Sequence, residues 1–138
     1  MRRTVLDASC AVASILGEMT LLAAAEMQIR RVVNRPAIVP ALFWYEVRHV
    51  LLRAHRRGRL TATGLGEARA QLAALDLEAD ADHDEDRTFA LAVAHGLSVY
   101  DASYLETALR RGAALATLDR RLAAAANAEN VLTSAVQG

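Results

Sequence analysis

The sequence predicts an α/β fold, a parallel sheet with helices on both faces, and three observations lead there. Short apolar β-like runs alternate with longer helical patterns along the chain. Gly96 and Gly112 each stand where a helical pattern runs out, as helix-closing glycines do. Alanine (30) and leucine (20) together fill 50 of the 138 positions, an excess that favours helix.

The elements follow in order. Thr4-Val5-Leu6 reads as a first strand, leading through Asp7 into a helix-like Ala/Ile/Leu stretch that runs to about Val33. Ala37-Ile38-Val39 reads as a second strand, followed by Pro40 and a long helix from Ala41 to Arg57 closed by Gly58. Helical patterns cover about 65–75, 83–95 and 99–111. Ala113 to Thr117 is a later strand, Leu118-Asp119 opens an Ala-rich helix, and Val131 to Ser134 reads as a last strand. No internal repeat, low-complexity tail or Pro/Gly-rich linker divides the chain, and 138 residues suit one domain spanning 1–138.

Composition excludes whole classes of chemistry. Sixteen basic and sixteen acidic residues give zero net charge, and all sixteen basic residues are arginine. Without lysine there is no Walker-A phosphate site, no Schiff-base or pyridoxal catalysis and no phospho-acceptor receiver domain. The single Cys10 forms neither an internal disulfide nor a thiolate zinc site, which suits a reducing cytoplasm. Asp7 interrupts the apolar stretch after Met1-Arg2-Arg3, against a signal peptide, and no apolar run approaches the ~20 residues of a membrane span.

Four acids stand out. Asp7 and Asp119 each directly follow a strand, where side chains converge in the crevice of a parallel sheet. Each also suits the N-cap of the next helix. Glu46 has Leu42, Phe43 and Val50 as helical neighbours, so its carboxylate lies within an apolar stripe. That placement is costly unless the charge is paired, by a nearby arginine or by a metal. Asp101 shares an apolar face with Leu105 and Ala108, although Ser98-x-x-Asp101 is also a capping box.

Other patterns carry less. Asp80, Asp82 and Asp84 imitate the start of a calcium loop, but its sixth and twelfth positions are Glu85 and Leu91, so an acidic run opening a helix is the better account. Gly64-x-Gly66 lacks the third glycine of a dinucleotide loop, and the four histidines have no metal-ligand spacing. The double arginines, Arg110-Arg111 among them, read as solvated faces. Arg53, Arg56, Arg57 and Arg59 make a basic helix end able to touch phosphates.

Four segments carry a family likeness: V-L-D-A-S at 5–9, V-P-A-L-F-W-Y-E-V at 39–47, G-L-S-V-Y-D-A-S-Y-L at 96–105 and L-A-T-L-D-R-R-L at 115–122. In these the chain resembles the PIN-domain ribonucleases, and most closely the VapC-type toxins of bacterial toxin–antitoxin pairs. The stretch Asn127–Asn130, shorter than the turn of many relatives, is the one departure. The resemblance implies a PIN-like three-layer α/β/α fold with a parallel sheet of four to five strands. It implies that Asp7, Glu46, Asp101 and Asp119 form a catalytic acidic quartet holding Mg²⁺, or Mn²⁺ as substitute, with Ser9 and Thr117 as polar supports near the metal.

The function expected is a metal-dependent endoribonuclease toxin, cytoplasmic, leaving 5′-phosphate and 3′-hydroxyl ends. Expected partners are RNA, touched by Arg53, Arg56 and Arg57, a VapB-type antitoxin and a second copy of the chain, with no membrane. Ile15, Leu16, Met19, Leu21, Leu22 and Met27 offer an apolar face for an antitoxin helix. Two alternatives remain: a catalytically silent PIN-like module that binds RNA or protein, and a metal-dependent phosphatase of small substrates.

Overall fold

The structure is a computed structural model that describes residues 2–16 and 36–133. Four strands form one parallel sheet in the order β3-β2-β1-β4: β1 (Thr4–Leu6), β2 (Ala37–Pro40), β3 (Leu77–Asp80) and β4 (Ala114–Ala116). Six helices accompany it among the described residues: α1 (Ala8–Leu16), α2 (Leu42–Arg56), α3 (Ala62–Ala73), α4 (Glu85–His95), α5 (Val99–Arg111) and α6 (Arg120–Ala128). The helices α1, α2 and α3 pack on one another as one group, and α5 packs on both α4 and α6 as a second. The predicted α/β architecture is the observed one.

The strands are short and apolar because both sheet faces are covered. Val5, Leu6, Ile38, Val39 and Leu115 are all fully buried. The central helix α5 lies against β1, β2 and β4, burying Ala102, Tyr104, Leu105 and Ala108. Its start is fixed by Ser98, whose hydroxyl accepts the Asp101 amide at 3.0 Å, and its end by Gly112 in the left-handed conformation. Asp84 and Asp119 cap α4 and α6 in the same way. At Asn130 a left-handed residue (φ 61°) turns the chain without glycine, a conformation that Asn tolerates.

Some sequence expectations need correction, and one reaches beyond the described residues. The acidic run does not simply open a helix: Asp80 ends β3, Asp82 donates its amide to Asp80, and only Asp84 caps α4. Strand β3 itself was masked by its sequence, Leu-Glu-Ala-Asp, which is an edge strand with only Asp80 buried. The expected final strand is reduced to a bridge between Leu132 and Leu115; its last residue, Ser134, lies outside the described residues. The helix expected to run to Val33 is described only as far as Leu16.

Arg110 and Arg111 do not form a solvated face. Arg110 binds Glu106 at 2.6 Å and Asp80 at 3.1 Å, while Arg111 binds Asp80 at 2.7 Å and Glu78 at 2.6 Å. Arg3 reaches Glu78 from beyond the sheet's centre at 3.1 Å. This network ties the end of α5 to the edge strand. Burial alone would raise the Asp80 carboxyl, but hydrogen bonds from Arg111 and Arg110 outweigh it and hold the group below its ordinary range.

Asp80→Ala should destabilise the fold by about 2 kcal/mol, less than a fully buried pair because both arginines keep access to water. Glu78→Ala, at a side chain 44% exposed, should have a clearly smaller effect. Denaturant midpoints of the two variants check the order.

Candidate active site

Asp7 is the organising residue. It leaves β1 opposite the end of β4, where its amide donates to the Ala116 carbonyl at 3.1 Å. Its Oδ1 accepts from the Ser9 hydroxyl at 2.5 Å and from the Cys10 amide at 3.2 Å. Its Oδ2 accepts from the Thr117 hydroxyl at 2.5 Å. The two hydroxyls are fixed in turn, since Ser9 Oγ accepts the Leu118 amide at 2.9 Å and Thr117 Oγ1 accepts the Asp119 amide at 3.0 Å. The cap reading of Asp7 holds, since it caps α1 through Cys10, and its carboxyl is buried at the end of β1.

The other acids come from separate elements. Glu46 lies in the second turn of α2, Asp101 in the first turn of α5 and Asp119 at the N-cap of α6. Their charges act on one another. Burial first, then the charges of Asp101 and Asp7, push Glu46 up to about 7. Burial chiefly pushes Asp7 up to about 6, against the hydrogen bonds it accepts. Asp101 is raised by burial and then by Asp119. Asp119 is exposed and caps α6, its Oδ1 accepting the Leu122 amide at 2.8 Å. The positive ends of α1, α5 and α6 offset part of this negative charge.

The donor set suits a hard divalent cation, because it consists of carboxyl and hydroxyl oxygens. One observation speaks for a cation directly: Glu46 Oε1 is buried without a hydrogen-bond partner. The acids do not make a closed cage, and among the described residues no three ligand side chains group tightly enough to enclose an ion. An open arrangement agrees with Mg²⁺, which keeps several waters and is held by one or two carboxylates together with substrate.

The arginines predicted to touch RNA stand apart from the acids. Arg53, Arg56 and Arg57 are exposed on the last turns of α2. Val50, Arg53, Ala54, Arg57 and Arg59 line a surface hollow there. Arg53 and Arg57 follow Glu46 by 7 and 11 residues, so all three share one stripe of the helix.

Residues 4–128 match the PIN domain family. The chain belongs to the PIN-domain family. The match covers every element described above. Among solved structures, this PIN domain is similar to PAE2754 from Pyrobaculum aerophilum, at 28% identity and a TM-score of 0.67, over 90% of this chain and 79% of that one. Among curated proteins it is similar to Ribonuclease VapC3 of Pyrobaculum aerophilum, 57% identical over 35 residues. That likeness spans 25% of this chain and 27% of the relative's length. Among the described residues, no helix of the PIN domain is long and apolar enough to cross a membrane.

One buried polar group near the acids was missed from the sequence. Tyr104 lies fully buried on α5, with its hydroxyl beside Glu46. The signal was its position three residues after Asp101, on the same helical side, where it reads simply as core.

The raised carboxyls fix how stability depends on pH. Without metal, the folded state keeps protons that the unfolded chain releases between the ordinary carboxylate range near 4 and about 7. Folded-state stability is therefore fullest below that window and falls as pH rises through it. Melting temperatures of metal-free protein should decline from pH 5 to pH 8, and a divalent cation should flatten the decline. A melting temperature that climbs across that range in chelator would contradict this.

Proposed function

We propose that this PIN domain is a Mg²⁺-dependent endoribonuclease acting as the toxin of a VapBC-type pair, with Asp7, Glu46, Asp101 and Asp119 holding the metal. The carrying observation is the buried, unpartnered Glu46 Oε1, with the charges of Asp101 and Asp7 acting on Glu46 and that of Asp119 acting on Asp101. The PIN family match and the short likeness to a ribonuclease of the VapC type support the same reading.

The cation, when bound, supplies Lewis-acid stabilisation of the phosphate and an activated water. The residues of the chain do the rest. Ser9 and Thr117 fix both oxygens of Asp7, so its carboxylate meets the reaction centre in one orientation. Glu46 keeps one buried oxygen unpartnered, an acceptor for a proton of the attacking water. The water oxygen bonds to phosphorus, the bond to the 3′ oxygen breaks, and that oxygen takes a proton from solvent water as it leaves. Products with 5′-phosphate and 3′-hydroxyl ends follow. Arg53 and Arg57 lie along the α2 stripe from Glu46, with Arg56 beside them, and these cations suit the phosphates of an extended RNA backbone.

The partners belong to the same proposal. Phe89 and Val93, one turn apart on α4, and Val99 and Tyr100 at the start of α5 are exposed apolar side chains suited to a second copy of the chain. Ile15 and Leu16, the described part of the apolar face offered to an antitoxin, are partly buried against the core. Met19, Leu21, Leu22 and Met27 lie outside the described residues. Co-expression with a short antitoxin should give a complex nearly inactive on RNA.

The deciding experiment incubates purified protein with total RNA, with and without Mg²⁺, and maps the ends. Mg²⁺-dependent cleavage supports the proposal; RNA that is bound but uncut points instead to a silent binding module. Asp101→Asn should lower cleavage on the order of a thousandfold or more while the fold is retained by circular dichroism. The Arg53→Ala, Arg57→Ala double variant should lower kcat/KM about tenfold, mainly through KM, with a shallower salt dependence.

A further inference from the structure

Tyr104 buries a hydroxyl that the fold itself does not use. It is the largest of the fully buried side chains, at 1% exposed. Among the described residues, two buried side-chain polar atoms lack a hydrogen-bond partner, and they are Tyr104 Oη and Glu46 Oε1. The two groups are neighbours: the hydroxyl favours the charged form of Glu46, and Glu46 ranks first among the charges acting on the hydroxyl. One is a donor and the other an acceptor.

A pure packing role does not account for this. Phenylalanine would fill the same space without withdrawing a hydroxyl from water. Glu46 otherwise has Leu42, Phe43 and Val50 as helical neighbours, none of which orients a carboxylate.

Resting on the metal-dependent reading above, we infer that Tyr104 is a positioning residue for Glu46, donating from Oη to its carboxylate and so presenting the remaining lone pairs toward Asp7 and Asp101. The acceptor is occupied when Glu46 is ionised. The hydroxyl thereby links α5, which also carries Asp101, to α2, and sets Glu46 without touching substrate. Its contribution is to the cation's affinity, not to recognition of RNA.

The test compares wild type with Tyr104→Phe, using Mg²⁺ alone as the first probe. Thermal shifts over a Mg²⁺ titration should show affinity weakened roughly tenfold, as expected for a lost hydrogen bond to a charged group, while the melting temperature in chelator stays level or rises. The Mg²⁺ concentration needed for half-maximal RNA cleavage should move by the same factor, with KM for RNA unchanged. Equal Mg²⁺ affinity in the two proteins overturns the inference. So does an equal loss of melting temperature with and without Mg²⁺, which marks a packing role. A wild-type protein whose melting temperature and cleavage both ignore Mg²⁺ sinks the metal-dependent reading itself, and the positioning role with it.

Discussion

The structure turns on the clamp around Asp7. A carboxylate at the end of a fully buried parallel strand carries a large desolvation penalty. Two hydroxyls and one amide meet it, one hydroxyl on each oxygen. Those hydroxyls are themselves oriented by the amides of Leu118 and Asp119, so the turn after β4 is shaped by the residue after β1. The hydrogen bonds offset part of the burial, yet Asp7 still holds its proton to about pH 6. The clamp therefore fixes the geometry and leaves the charge of the cluster to be neutralised by something else.

Around that fixed point, the other acids are delivered by the ends of helices. Asp101 and Asp119 arrive in the first turn or cap of α5 and α6, where exposed amides favour negative charge. Glu46 has no such help, and it is the acid raised furthest toward neutrality. At the far end of α5, the arginine pair and its three carboxylates fasten the same helix to the edge strand. One end of α5 concentrates uncompensated negative charge, and the other end is ionically satisfied. Together the two ends hold the position of the helix that carries Asp101.

Much of this was legible in the residues, for physical reasons. The buried strands β1, β2 and β4 are apolar runs, and the helices beside them have clear caps such as Ser98 and Gly112. All four acids could be singled out because each breaks an apolar pattern or ends a strand. Strand β3 was not legible, since its four-residue alternation is too short to stand out and its buried position is an acid, Asp80, while Ala79 is exposed. The pairing of Arg110 and Arg111 with Glu78 and Asp80 spans about thirty residues of sequence, so no local rule finds it. Tyr104 failed for a different reason: burial of a tyrosine is ordinary, and only its unanswered hydroxyl distinguishes it.

The strand order β3-β2-β1-β4 has a consequence for how the protein is made. Every neighbouring pair is parallel and needs a crossover, and the pair β1-β4 joins the start of the chain to residues beyond 110. During synthesis the N-terminal strand waits, edge open, until β4 has left the ribosome. Thr117 and Asp119 then arrive together with it and close around Asp7. A nascent chain lacks an assembled acidic centre until almost all of the matched region is translated. Topology thus delays assembly of the acidic cluster, since the last described strand to emerge is the one whose following residues close around Asp7.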